Sequence, residues 1–183
     1  RYVTKEEMPD FFKAVNNLKS QDAKDAIMML LFTGLRKQNI LSLKWDSINF
    51  NDSIITLYET KNDEVHTQKL TDSALKILKS RKEKAYNEFV FPSSSKSGHL
   101  EDIKRHWEDV RKNTGMKDLR IHDLRRTLGS WLAIDGESLQ YIAKILGHKS
   151  IQSTKIYSHL ANEFAQESHK NVVDKIAGYD EER

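Results

Sequence analysis

Four positions in the sequence, one of them a pair of residues, combine reactive side chains with neighbours that would hold them in place. His122 and Arg125 lie three residues apart among apolar neighbours, so one helix face would present both to a single anion. A surface pair with Asp123 as the partner is the alternative. Arg36 follows Gly34, where a buried helix should end, so we expect its guanidinium near the core. A buried salt bridge is the alternative for this arginine.

The other two positions lie close together in the last third of the chain. Gly147 and His148 follow an apolar helical stretch, which places His148 just beyond a helix end, where capping of that helix is the alternative role. Tyr157 comes nine residues later among small and polar neighbours, where a core tyrosine would normally have more apolar company. These residue types suit proton transfer and nucleophilic attack, although any one position alone is weak evidence.

Composition excludes several other classes of site. The 183 residues contain no Cys, which excludes disulfides, thiolate metal sites and a Cys nucleophile. The sequence also lacks a Gly-rich phosphate loop, a serine elbow and a histidine pair at zinc-binding spacing. The longest apolar run, residues 26–32, is far shorter than the roughly 20 residues of a membrane span. We therefore expect an intracellular protein, and the first residue, Arg1, suggests a piece of a longer chain.

Helices dominate the elements that must position these side chains. We expect one helix to begin after a capping box at Thr4 and Glu7 and a second helix to end at Gly34. Further helices are expected to begin at Arg36 and at Thr71 or Asp72, to span about residues 101–111, 122–134 and 138–146, and to follow from Ser150 onward. Alternation between residues 53 and 70, broken at 61–63, predicts a β-hairpin, and residues 89–91 could add a third strand. The fold class is thus mainly α with a small antiparallel β-sheet (α+β), in a single domain over residues 1–183.

Taken together, the four positions resemble those of the catalytic domain of the tyrosine recombinases, the phage integrase family, over about residues 4–176. The family's first arginine box resembles TGLRKQNILSLKW, its second resembles IHDLRRTLGSWL, and its segment with the last histidine and the tyrosine resembles ILGHKSIQSTKIYSH. The chain departs from the family at Arg126, where many members have His, and at Leu128 and Gly129, where Phe and Ala are common. These departures concern packing more than the reacting set.

The resemblance implies a fold, an activity and a site. It implies the tyrosine recombinase catalytic-domain fold and a site-specific DNA recombinase, the integrase of a prophage or other mobile element, that acts through a 3′-phosphotyrosyl intermediate. The implied catalytic residues are Arg36, Lys61, His122, Arg125, His148 and Tyr157, with Lys61 at the turn of the hairpin. No cofactor and no metal are implied, because the two arginines would supply the counter-charge that metal ions supply at other phosphoryl-transfer sites.

The resemblance also implies partners. Double-stranded DNA at specific attachment sites would be held by a homotetramer on paired sites, assembled from free monomers with the help of accessory DNA-bending proteins. The protein would be located in the bacterial cytoplasm and would be associated with the nucleoid when it is bound to DNA. The resemblance also implies a core-binding domain on the N-terminal side, which would help to hold the duplex because a net charge of only +3 is modest for that task.

Two features of the prediction stay open. The last helix places Phe164, Ala165, Ser168, Val172 and Ile176 on roughly one face, which would pack on its own domain or pass to a neighbouring subunit. The function also has competitors: a topoisomerase that uses the same tyrosine chemistry without needing two sites, a DNA-binding module of this fold without catalysis, and an unrelated helical protein. The intact set of six implied residues argues against the second of these.

Overall fold

The computed structural model describes residues 1–59 and 64–181. The chain forms two compact units, Arg1–Leu128 and Gly129–Arg183, and helix α6 (Asp123–Ile134) contains the boundary between them. The expected fold class, mainly α with a small antiparallel sheet, is confirmed. None of the helices in the described ranges has the length and hydropathy that crossing a membrane requires.

The first unit places helices before and after a small sheet. They are α1 (Met8–Asn16), α2 (Gln21–Thr33), α3 (Lys37–Leu41), α4 (Asp72–Lys82) and α5 (Lys104–Thr114). A threonine cap explains the start of α4, because Thr71 Oγ1 accepts a hydrogen bond from the backbone N–H of Ala74. The expected capping box also forms, with Thr4 N–H donating to Glu7 Oε2 at 3.0 Å, although α1 itself begins only at Met8.

Two other helices begin slightly later than expected. Helix α5 begins at Lys104 rather than near residue 101, because Asp102 Oδ1 accepts the backbone N–H groups of Ile103 at 2.7 Å and Lys104 at 3.0 Å. That carboxylate ends the preceding loop and supplies the acceptor a helix start needs. Helix α6 begins at Asp123, so His122 lies just before the helix rather than inside it.

The sheet contains β1 (Ile48–Asn49), β2 (Ile54–Glu59) and β3 (Glu64–Lys69) in that order, with antiparallel neighbours. Strands β2 and β3 form the expected hairpin, in which Ile55 pairs with Gln68 and Thr56 with Thr67. Because residues directly opposite each other in antiparallel strands share a face, Gln68 lies on the same side of the hairpin as its fully buried partner Ile55. A polar residue thereby enters the interior of the unit.

The expected strand at residues 89–91 was wrong. Phe89 forms only an isolated bridge with Lys44, and the N–H of Val90 donates to the carbonyl of Leu43 at 2.8 Å. Pro92 follows directly and has no N–H to extend a ladder, so the pairing remains local. The apolar pattern of this segment instead reflects burial, since Phe91 is completely inaccessible to solvent.

The core of the first unit lies between paired helices. Helix α1 packs against α5, and α2 packs against α4. Phe11, Ile27, Leu78 and Phe91 are all fully buried there. Each such side chain stabilises the fold by roughly 1.5–3 kcal/mol relative to an exposed one. The same core includes Leu35, in the turn between α2 and α3.

The second unit contains α7 (Leu139–Leu146), a 3₁₀ helix (Ile151–Tyr157) and α8 (Ser158–Glu181). The predicted start and end of α7 are confirmed: Ser138 Oγ accepts from the N–H of Tyr141 at 3.1 Å, and Gly147 adopts a left-handed φ of 62° just after the helix. Helix α7 packs against the 3₁₀ helix, which continues directly into α8.

Candidate active site

The backbone of Arg36 is set by the turn between α2 and α3. Gly34 has a left-handed φ of 64°, and Thr33 Oγ1 both donates to the Met29 carbonyl at 2.6 Å and accepts from the N–H of Leu35 at 3.2 Å. Arg36 then takes an extended conformation as the residue that precedes α3. Arg36 is exposed, so the expectation of a guanidinium near the core was wrong, although the two preceding residues, Gly34 and Leu35, are buried.

Two buried side chains hold this turn from outside. Gln68 Nε2 donates to the Thr33 carbonyl at 2.9 Å, and Arg125 Nη1 donates to the Gly34 carbonyl at 2.6 Å. Arg125 is only 6% exposed, so its guanidinium is fixed in place by this contact. The carbonyl that accepts this charge-assisted bond from Arg125 belongs to the residue two positions before Arg36. The backbone of Arg36 and the guanidinium of Arg125 are therefore both held at one turn.

The start of α6 is fixed by Asp123, which is 2% exposed. Its Oδ2 accepts the backbone N–H of Arg120 at 2.7 Å, and its Oδ1 pairs with Arg126 Nη1 at 3.4 Å. Thr127 Oγ1 adds a bond to the Asp123 carbonyl at 2.7 Å and accepts the N–H of Val3 at 2.9 Å. Asp123 forms an ion pair with Arg126, and Arg125 is buried and binds Gly34, so the alternative of a surface pair does not hold for Arg125.

His122 lies beside this helix start in a positive environment. Packed protein atoms remove part of the hydration of its ring, although the residue remains solvent-exposed. This desolvation, followed by the charges of Arg125 and Arg126 and to a smaller extent Arg36, lowers the pKa of His122, and Asp123 opposes the shift. A lowered pKa keeps the imidazole neutral and able to accept a proton near neutral pH.

His148 in the second unit is held by backbone and side-chain bonds. Its N–H donates to the Ala143 carbonyl at 2.9 Å and closes the end of α7, so the backbone performs the capping. The ring Nδ1 lies 2.8 Å from Oγ1 of the fully buried Thr154, with the donor set by the tautomer. The ring is therefore oriented by a residue of the 3₁₀ helix.

Tyr157 is the last residue of that 3₁₀ helix and is 2% exposed. The sequence placed it in a polar setting, but its ring is packed inside the second unit against the backbone of Gly129. A Cβ atom built on Gly129 would lie 2.4 Å from Cζ and 2.7 Å from Oη of Tyr157. The ring thus approaches α6 at a distance that only a glycine permits.

Lys61 lies outside the described residues. Thr154 and Gln68 were not predicted as site residues. Thr154 stands inside the tyrosine motif, but its burial is a tertiary property. Gln68 lies on the face of β3 opposite the exposed Val65 and Thr67, and no apolar pattern in the sequence marks its face as the inner one. In the described residues, no group of three or more His, Asp or Glu side chains is arranged to hold a metal ion.

Comparison with known proteins shows which family the chain resembles. The model of the phage integrase family matches residues 1–163. The integrase of Salmonella phage P22 is 29% identical over 169 residues, covering 85% of this chain and 43% of that protein. The catalytic domain of bacteriophage HP1 integrase, 20% identical, has a TM-score of 0.70 and covers 92% of this chain and 93% of that one, which confirms the expected fold.

A third likeness comes from a DNA complex. The Tn1549 transposon integrase in complex with circular intermediate DNA is 19% identical, with a TM-score of 0.76, over 94% of this chain and 67% of that one. The chain spans about half the length of the curated relatives it matches.

Proposed function

The chain belongs to the phage integrase family, and from that membership we propose that it is the catalytic domain of a tyrosine-type site-specific DNA recombinase, the integrase of a prophage or other mobile element. The observation that carries the proposal is the bond from Arg125 to the Gly34 carbonyl, which ties two arginines to one turn. Paired guanidiniums of this kind suit a phosphodiester, because each planar fork can hold two oxygens.

The arginines would stabilise the charge that develops during phosphoryl transfer. As a nucleophile attacks phosphorus, negative charge gathers on the non-bridging oxygens, and preorganised cations lower the energy of that state. Arg36 and Arg125 supply two such cations on this proposal. His148, oriented through Nδ1 by Thr154, would donate a further hydrogen bond to a non-bridging oxygen.

Tyr157 would be the nucleophile. A tyrosine with an ordinary pKa of about 10 is ionised to about one part in a thousand at neutral pH, which corresponds to about 4 kcal/mol. A neighbouring base reduces that cost by taking the phenolic proton during attack. His122 suits this role, since its lowered pKa keeps the ring neutral, and it could also hold an oxygen of the phosphate.

The proposed reaction conserves the energy of the phosphodiester. Tyr157 Oη bonds to phosphorus, the bond from phosphorus to the 5′ oxygen breaks, and Lys61 gives the departing oxygen a proton. The product is a 3′-phosphotyrosyl bond and a free 5′-hydroxyl. Attack by another 5′-hydroxyl reverses the step and joins new strands without ATP. Strand exchange then needs two rounds of the same chemistry.

The proposal extends to partners and organisation. The substrate is double-stranded DNA at specific attachment sites, in line with the DNA complex of the similar Tn1549 integrase. Four copies act together on paired sites, and the chain is a monomer when it is free. Accessory DNA-bending proteins assist the assembly. The protein is located in the bacterial cytoplasm and is associated with the nucleoid when bound to DNA. Residues 1–183 act as one catalytic domain, and the core-binding domain stays a prediction.

A trapped covalent adduct tests the function. A nicked duplex carrying the attachment site releases a short fragment after cleavage, so the adduct accumulates and survives denaturant. The unaltered protein should form it in excess EDTA, and Tyr157→Phe should form none because the attacking oxygen is gone. Tyr141→Phe, which alters an exposed tyrosine of α7, is the matched control and should retain activity.

Two results would contradict the proposal. An adduct that persists in Tyr157→Phe would show that another residue is the nucleophile. Loss of cleavage in EDTA that magnesium restores, with DNA binding unchanged throughout, would show that the two arginines do not provide the counter-charge alone.

A further inference from the structure

Gly129 stands where a side chain would collide with the ring of Tyr157. A Cβ at this position would lie 2.4 Å from Cζ, 2.7 Å from Oη and 2.9 Å from Cε1. Both residues belong to the second unit. Three atoms at the hydroxyl end of the Tyr157 side chain therefore lie where a side chain at position 129 would be.

The position of Gly129 in its helix makes this contact informative. The residue lies in the interior of α6, where glycine is less favourable than alanine because it loses more backbone freedom on folding. Glycines at helix ends are explained by a left-handed φ, as at Gly147, but Gly129 is inside the helix and needs another reason. The close approach of the tyrosine ring supplies that reason.

The collision could not be relieved without moving the ring. Ordinary van der Waals contact begins at 3.4 Å, so alanine at this position would require Cζ of Tyr157 to shift by about 1 Å. Tyr157 is only 2% exposed, so protein atoms cover almost all of its surface. The ring therefore cannot yield freely as an exposed side chain would.

We propose that Gly129 is a positioning residue for Tyr157, and that its lack of a side chain forms the seat in which the phenol ring and hydroxyl are held. The role of Gly129 in the reaction rests on the proposed function, because it takes Tyr157 as the nucleophile. The seat itself does not depend on that function. A displacement of about 1 Å at a reacting atom can slow an enzymatic step by about 100-fold.

Chemical accessibility tests the seat in the free protein. Tetranitromethane nitrates exposed tyrosines, and mass spectrometry of the digested chain reports each tyrosine separately. Tyr157 should be protected in the unaltered protein and in Ser130→Ala, a buried small-residue control in the same helix. In Gly129→Ala it should be nitrated at least about 5-fold faster, because the ring has left its seat. The exposed Tyr58 and Tyr86 serve as internal references in every sample.

A double-mutant cycle keeps the test valid if Gly129→Ala folds poorly. With Tyr157 present, the alanine should lower the Tm, because it collides with the ring. With Tyr157→Ala in the same chain, the alanine should leave the Tm unchanged or raise it, because the collision is gone and alanine favours the helix. Equal effects of Gly129→Ala in both backgrounds would overturn the seat.

Adduct formation then tests the consequence for the reaction. At saturating nicked duplex, Gly129→Ala should form the covalent adduct about 10- to 100-fold more slowly, with the Kd for DNA unchanged within about 2-fold. An unchanged rate would overturn the positioning role. If the unaltered protein forms no adduct at all, the proposed function fails, while the nitration rates and the Tm cycle still decide whether Gly129 seats Tyr157.

Discussion

Arg36 and Arg125 have different environments in the structure, although the sequence suggests similar environments for them. Arg125 is buried and spends one donor on the Gly34 carbonyl, whereas Arg36 is exposed and its backbone depends on that same turn. The types and spacing of these residues were readable from the sequence, because an arginine after a helix-ending glycine is a local pattern. Their burial was not readable, because it depends on where α6 and β3 pack.

His122 carries the first pH prediction. Its folded-state pKa lies below the ordinary value of about 6.5, so the unfolded chain binds a proton at a higher pH than the folded chain does. This histidine should therefore reduce stability as pH falls through about 6.5 towards its folded pKa, and not above. His122→Gln should flatten that part of the stability profile, measured by urea unfolding at about pH 7.5 and about pH 5.5.

The control for this measurement is His169→Gln, which removes an exposed histidine from α8. A loss of stability towards acid that is identical in the unaltered protein and in His122→Gln would contradict the shift. The same lowered pKa implies that adduct formation should begin to fail only at a pH below 6.5 if His122 is the base.

At the level of elements, local signals predicted the helices well and the extended segments less well. Ser138 and Gly147 bound α7 as expected, because a serine acceptor and a left-handed glycine act within one turn of the helix. Residues 89–91 looked like a strand, since burial and strand formation favour the same apolar residues. Only the pairing with another segment distinguishes a strand from a buried irregular segment, and here that pairing is a single bridge between Lys44 and Phe89.

In the 3₁₀ helix, Thr154, which was not predicted as a site residue, hydrogen-bonds to the predicted site residue His148. The substitution Thr154→Val tests this hydrogen bond. Valine fits the fully buried site but removes the hydroxyl that holds His148 Nδ1, a bond worth about 1 kcal/mol of stability. We expect adduct formation to slow by about 10-fold with DNA binding unchanged, because the ring loses its orientation.

Thr154→Ser keeps the hydroxyl and should restore most of the rate, which a purely structural role of the buried methyl group would not allow. Ser153→Ala, on the exposed side of the same helix, is the matched control. Equal rates in Thr154→Val and the unaltered protein would show that His148 is oriented by other contacts.

For the whole molecule, the exposed apolar side chains of α8 bear on assembly. Val172 is 51% exposed and Ile176 is 64% exposed, and Val173 beside them is also exposed. Of the two alternatives for this helix face, packing on its own domain leaves more than half of the surface of Val172 and of Ile176 uncovered. Burial of each such side chain could stabilise a contact by roughly 1.5–3 kcal/mol, enough to support assembly on DNA and too little to maintain an oligomer without it.

Paired charge substitutions test this interpretation without shortening the chain. Val172→Asp with Ile176→Asp should leave binding to one DNA site unchanged and reduce recombination between two sites by about 10-fold or more, because an interface would have to bury two carboxylates. Asn171→Asp, exposed on the same helix, adds one charge as the control. Recombination of paired sites at the unaltered rate would mean that these residues have no part in assembly.

The turn at residues 33–36 also limits how this site can be transplanted. Two consecutive carbonyls, those of Thr33 and Gly34, are bound by side chains that arrive from β3 and α6 rather than by the turn itself. A designer who grafts only the arginine-bearing segment onto another scaffold would leave both carbonyls without their donors, and the turn would be free to relax. The smallest portable unit is therefore three separate stretches of chain, with Gln68 and Arg125 as obligatory companions of Arg36.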